Sequence, residues 1–207
     1  MMGYKPVEDG FELKYGIFYR FCTKAANHPD QEFFFIIDEI NRGNMSKIFG
    51  ELLMLIERDY RGTKATLAYN GMAFSVPKNL FIIGMMNTAD RSLAMIDYAL
   101  RRRFSFFDVE PGFDSEGFIC YQGKLNSETL NDLIARIKEL NLDIARDKSL
   151  GKGFCIGHSY FCGQECCTEE WLHSIVDYDI LPMLREYWFD NSSKLQYWEN
   201  QLQGVFQ

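Results

Sequence analysis

No stretch of this 207-residue sequence reads G-x-x-x-x-G-K-[ST], the glycine-rich turn that cradles the β- and γ-phosphates of a nucleotide. Both Gly-Lys pairs fail on their flanks. Gly123-Lys124 has Phe118 where the first glycine belongs and Leu125 where the hydroxyl belongs, and Gly151-Lys152 has Arg146 and Gly153 in those places. The six cysteines include no C-x-x-C pair. Cys155, Cys162, Cys166 and Cys167 cluster near His158 and His173, but their spacings match no common zinc site, so they read as free thiols rather than metal ligands or disulfides. Long apolar runs are missing as well. The longest are strand-sized, well short of the roughly 20 residues of a membrane-spanning helix, and no secretory segment is visible, so a cytoplasmic chain is expected. Positive charge is in deficit, with 22 Lys and Arg against 29 Asp and Glu and a formal net charge of −7. That excludes bulk electrostatic binding of nucleic acid and leaves any DNA contact to a local patch or another domain.

What the chain does have is hydrophobic and aromatic content, 47% and 15%, enough for a sizeable core and two subdomains. Residues 33 to 39 read Phe-Phe-Phe-Ile-Ile-Asp38-Glu39, a run without alternation that predicts a central parallel strand buried on both faces. It ends in two adjacent carboxylates, the form of a Walker B strand. Ligands of open α/β sheets sit at the carboxyl ends of the strands, so Asp38 is a candidate to hold Mg²⁺ through water and Glu39 to polarise a water for attack on a γ-phosphate. A second apolar run at 79 to 86 leads into Asn87-Thr88-Ala89-Asp90-Arg91-Ser92. If the two strands are neighbours, the Asn87 amide comes close to Glu39, where it can orient the attacking water or touch the phosphate. Asp97 then caps a short helix that finishes in Arg101-Arg102-Arg103-Phe104. The helix dipole accounts for one cation there, less readily for three, whereas guanidinium groups suit a phosphoryl transfer completed by a neighbouring subunit.

Asp38-Glu39-Ile40-Asn41-Arg42, Ser46-Lys47-Ile48-Phe49-Gly50-Glu51, Met86-Asn87-Thr88-Ala89-Asp90-Arg91-Ser92 and Asp97 through Phe106 together resemble the AAA+ module of the McrB family. Members of that family are GTP-hydrolysing motors of modification-dependent restriction systems. The resemblance runs from about Tyr4 to Phe161 and is most specific at Asn87-Thr88-Ala89-Asp90. It implies Mg²⁺ binding through Asp38, a catalytic carboxylate in Glu39, a sensor-type signature in Asn87 and Asp90, and arginine fingers acting in trans in Arg102 and Arg103. It also implies GTP, or alternatively ATP, as substrate, a self-assembled ring (a hexamer), a McrC-like nuclease partner, and modified DNA bound by another domain. The absent phosphate loop departs from the family, so the chain is expected to begin inside the module and to be inactive alone. Two rival readings stay open: a MoxR-type ATPase that remodels proteins, which Asp38 through Arg42 also fits, and a non-catalytic interaction domain with the same fold.

The expected architecture is α/β, a partial AAA+ (P-loop NTPase-like) parallel sheet over residues 1–112, followed by a helical lid over 113–207. Helices are expected at Ile17 to Ala26 and from Met45 to Glu57, capped by Asn44 and turning Ile48, Leu52, Leu55 and Ile56 inward. Lys64 to Pro77 reads as a hairpin turning at Tyr69-Asn70-Gly71. Beyond Pro111-Gly112, Leu130, Leu133, Ile134, Ile137, Leu140 and Ile144 mark an amphipathic helix starting near Ser127, and Thr168 caps another that carries Trp171, Leu172 and Ile175. Asp177 to Glu199, around Pro182, suggests further lid helices. Gly157-His158-Ser159-Tyr160-Phe161 is similar to a segment of the family's lid, which makes His158 and Ser159 candidates to approach nucleotide, against the simpler reading that they satisfy local backbone groups.

Overall fold

The two apolar runs lie side by side as parallel strands, β3 (Phe33–Ile37) and β6 (Leu80–Gly84), with Phe33 opposite Leu80 and Ile37 opposite Gly84. The computed structural model describes residues 2–7, 10–68, 71–89 and 98–206. Around the pair come β1 (Met2–Val7), β2 (Gly10–Tyr15), α1 (Ile17–Ala26), α2 (Met45–Phe49), β4 (Ala65–Thr66), β5 (Ala73–Phe74) and α3 (Tyr98–Arg101). Then follow α4 (Glu116–Leu125), α5 (Glu128–Arg146), α6 (Glu169–Ser174), α7 (Leu181–Tyr187) and α8 (Ser192–Gln203). The chain divides into two compact units, Met1–Phe107 and Asp108–Gln207. No helix among the described residues is long and apolar enough to cross a membrane.

In the first unit α1 covers one face of the β3–β6 pair. Phe18 meets Phe35 edge-on at 5.0 Å and Phe21 meets Phe33 at 5.8 Å. Asn79 fastens the end of α1 to the start of β6, because its side-chain amide donates to the carbonyls of Ala25 (3.0 Å), His28 (2.9 Å) and Gln31 (2.8 Å). The Ala25 and His28 carbonyls also accept the backbone N–H groups of His28 and Gln31, at 3.1 and 3.2 Å, so the amide adds a second bond to each. The opposite face corrects the sequence reading. Phe34 and Ile36 are 51% and 58% exposed, and Phe34 stacks on Phe81 at 5.3 Å. Side chains alternate across a strand, so a run that is apolar at every position needs two covers, and the described residues supply one.

The helix expected from Met45 to Glu57 is also divided. Asn44 caps it by accepting the Lys47 N–H at 2.9 Å, but Gly50 turns to φ +51, and the segment continues as a 3-10 helix over Gly50–Ile56. That left-handed residue leaves the α-helical ladder, which few residues besides glycine do cheaply. As a result Leu52, Leu55 and Ile56 are buried as their spacing suggests, while Ile48 is half exposed. β4 and β5 form the expected antiparallel hairpin, with Ala65 opposite Phe74; Tyr69 and Asn70 of its turn lie outside the described residues. The antiparallel pair β1–β2, with Met2 opposite Tyr15, is an element the sequence reading did not assign.

The second unit is helical. Ser127 accepts the Leu130 N–H at 3.2 Å and starts α5, whose Leu130, Leu133, Ile134, Ile137, Leu140 and Ile144 are all buried. Thr168 caps α6 by accepting the Trp171 N–H at 3.2 Å, and the helix runs into a π-helical stretch, Ile175–Ile180, ahead of Pro182 in the first turn of α7. A widened turn before proline accommodates its missing N–H and its ring.

The last turn of α5 is pinned to α7 and α8 by charge. Asp143 accepts the Trp198 indole N–H at 2.9 Å, Asp147 accepts that of Trp188 at 3.0 Å, and Lys194 Nζ reaches both carboxylates at 3.3 and 3.1 Å. Ser149 donates a further hydroxyl at 2.7 Å and its N–H at 2.9 Å to Asp147. These bonds, those from Ser149 and Trp188 first, hold the Asp147 carboxyl well below the usual carboxylate range. A depressed folded value means that the stabilisation is complete above about pH 4, the ordinary aspartate value, and declines as pH falls below it toward the folded value. The urea midpoint of the chain is therefore expected to drop as pH falls from about 4 to about 2, and Asp147→Asn to lower it at pH 7 and flatten that decline. An equally steep decline in the variant would mean that other carboxylates govern it.

Candidate functional site

β3 and β6 finish level with each other, and backbone bonds stitch the turns that leave them. The Met85 N–H donates to the Ile37 carbonyl at 2.8 Å, and the Ile40 N–H donates to the Met85 carbonyl at 2.9 Å. Gly84 permits this approach. A Cβ there would lie 2.7 Å from Ile40 Cδ1, and Ile40 is a core residue, 5% exposed. The two polar exits foreseen from sequence are thus held next to one another at the carboxyl edge of a parallel sheet.

Asp38 is exposed, and its Oδ1 accepts the Glu39 N–H at 2.9 Å, which leaves Oδ2 uncommitted among the described residues. Glu39 sits in the left-handed region at φ 49, ψ 49 and pairs through Oε2 with Arg42 Nε one turn onward. For a residue with a Cβ that backbone costs about 1–2 kcal/mol and marks a sharply fixed exit from the strand. The Arg42 contact was not foreseen, although the three-residue spacing carries the signal. With the two side chains 58% and 42% exposed, the pair is worth roughly 0–1 kcal/mol, so Glu39 is released from it at little cost. Asn87 is exposed, and its Oδ1 accepts the Ala89 N–H at 2.9 Å, so the amide NH₂ is left for a ligand or water. Asp90 and the Asp97 cap lie outside the described residues.

The three arginines have different surroundings. Arg101 lies over the Phe106 ring at 5.7 Å, Arg102 is exposed, and Arg103 is 11% exposed with its guanidinium 2.7 Å from Glu57 Oε1. His158 and Ser159 belong to the second unit. There His158 Nδ1 accepts the Gly112 N–H at 2.9 Å, and its ring packs edge-on against Phe113 and Phe118. That bond fixes the tautomer with the proton on Nε2 and gives His158 a local task, which was the simpler sequence reading. Ser159 is exposed and its carbonyl accepts the Cys162 N–H at 3.2 Å.

Chemically the strand ends suit one half of a nucleotide site. A single exposed carboxylate with a free oxygen fits Mg²⁺, which keeps several waters and takes one or two carboxylates plus substrate phosphates. Among the described residues no three His, Cys, Asp or Glu side chains converge into a protein-only metal cage. The glycine-rich phosphate cradle is not within the 207 residues.

Comparison with known proteins fits this geometry. Residues 1–104 match the AAA domain (dynein-related subfamily), and residues 132–196 match the alpha-helical lid domain of McrB. The chain is 50% identical over 216 residues to the type IV methyl-directed restriction enzyme EcoKMcrB subunit of Escherichia coli (strain K12), covering 99% of this chain and 47% of that protein. It is 32% identical over 124 residues to the type II restriction enzyme BsuMI component YdiS of Bacillus subtilis (strain 168), covering 53% of this chain and 36% of that protein. The chain therefore spans less than half the length of either relative.

Proposed function

Because the chain belongs to the AAA+ family and carries a McrB-type helical lid, we propose that it is the water-activating and lid portion of a restriction-system motor that hydrolyses GTP, or ATP. The observation that carries this reading is the pairing of β3 with β6, which sets Asp38 and Glu39 beside the exit that leads to Asn87. In the proposed reaction a water oxygen attacks the γ-phosphorus, the bond to the β-phosphate oxygen breaks, and Glu39 orients the water and draws on its proton. The Asn87 amide fixes that water or the phosphate it attacks. Asp38 would hold Mg²⁺ through water, and the ion supplies neutralisation of charge on the β- and γ-oxygens. Arg102 or Arg103 completes the site of a neighbouring subunit in a ring, taken as a hexamer. The phosphate cradle would come from a segment outside these residues, the cleavage of DNA from a McrC-like nuclease subunit, and the reading of modified DNA from another domain.

The test is turnover. The 207-residue chain alone is expected to show no Mg²⁺-dependent hydrolysis of GTP or ATP above background, and the chain joined to a family phosphate-binding segment is expected to regain it. Robust hydrolysis by the chain alone would refute the division of the site proposed here. Absence of turnover from the joined form, if folded and assembled, would favour the non-catalytic reading.

A further inference from the structure

α3 and the residues after it form a short helical end with one buried side. Leu100 is 3% exposed in the core of the first unit and Phe104 packs against that core. Arg103 follows Leu100 by three positions and its N–H donates to the Leu100 carbonyl at 2.9 Å, so it shares the inward side of Leu100, because residues three and four apart are neighbours on a helix surface. Its guanidinium meets Glu57, just past the Gly50–Ile56 helix, at 2.7 Å, with the side chains 11% and 32% exposed. Arg102 falls off that side. Its backbone N–H donates to the Tyr98 carbonyl at 3.4 Å, while its side chain is exposed and makes no ion pair or hydrogen bond among the described residues. Adjacent arginines thus occupy opposite situations.

Resting on the hydrolysis reading above, we propose that Glu57 is a positioning residue. By holding Arg103 inside its own chain, Glu57 fixes the last turn of α3 so that Arg102 is the guanidinium presented to a neighbour's γ-phosphate. Arg103 does not touch nucleotide. A lysine can satisfy Glu57 as a point charge, but it lacks the planar fork that a transferring phosphoryl group engages, and this separates the two roles.

In the chain as it stands, Arg103→Ala should lower the unfolding midpoint and Arg102→Ala should leave it unchanged. In the form joined to a phosphate-binding segment, Arg102→Lys should lose about 10³-fold in kcat, as for an absent arginine finger. Arg103→Lys should stay within about tenfold of the unsubstituted rate. Glu57→Gln should lose about 10²-fold in kcat with KM little changed, since it misplaces a catalytic group without removing one, and Glu57→Asp should recover most of that loss. The proposal is overturned if Arg103→Lys is as inactive as Arg102→Lys while Glu57→Gln is unimpaired, or if Arg103→Ala leaves the midpoint untouched. An unsubstituted joined form that turns over nothing defeats the functional reading and this role with it, while the midpoints still decide the ion pair.

Discussion

Glu39→Gln is expected to abolish nucleotide turnover in the chain joined to a phosphate-binding segment, by about 10³-fold or more, while nucleotide binding persists. Glutamine keeps the size of the side chain and can still hydrogen-bond a water, but it cannot draw on that water's proton. Binding survives because Asp38, which carries the proposed contact to Mg²⁺, is untouched and its Oδ1 still accepts the backbone N–H of residue 39. The substitution also removes the carboxylate that pairs with Arg42. That pair is too exposed for its loss to unfold the chain, so the unfolding midpoint should shift little. The measurements are GTP and ATP turnover beside equilibrium binding of a non-hydrolysable analogue. Loss of both together would mean that Glu39 serves binding rather than water activation.

Arg102→Ala is expected to be as inactive as Glu39→Gln, and an equal mixture of the two variants is expected to recover part of the rate. An arginine finger is worth about 10³–10⁵ in turnover, so either variant alone is close to silent. In a mixed ring some interfaces set an intact Glu39 against an intact Arg102. With random assembly half of the sites keep the carboxylate and half of those meet an intact arginine, so about a quarter of the full rate is the ceiling if sites act independently. The exposure of Arg102 makes it available for such a role. If mixing restores nothing although the subunits co-assemble, Arg102 acts within its own chain and the ring mechanism fails.

How far these elements could be read in advance depends on the reach of the forces that form them. Helix starts are local, and Asn44, Ser127 and Thr168 each cap the helix that their positions suggest. The inward side of α5 was legible because six apolar residues recur at helical spacing over nineteen residues and all are buried. The break at Gly50 was not, since a helical pattern of apolar residues continues through it and only the positive φ shows that the ladder ends. Nor did the run from Phe33 to Ile37 reveal that one of its faces lacks a cover among the described residues.

By itself the sequence determined which residues could do chemistry: two carboxylates ending an apolar strand, an asparagine ending another, and a run of arginines. The absence of a phosphate loop was equally fixed there. Only the tertiary structure decided that β3 and β6 are parallel neighbours, because pairing between strands more than forty residues apart depends on side chains packing from α1 and on the Ile37–Met85 and Met85–Ile40 bonds. It likewise divided the arginines, since helical spacing turns Arg103 toward the core but cannot supply the carboxylate of Glu57 that meets it there. An ion pair stabilises only where both charges are brought together and partly withdrawn from water, and that condition belongs to the folded chain rather than to the order of its residues.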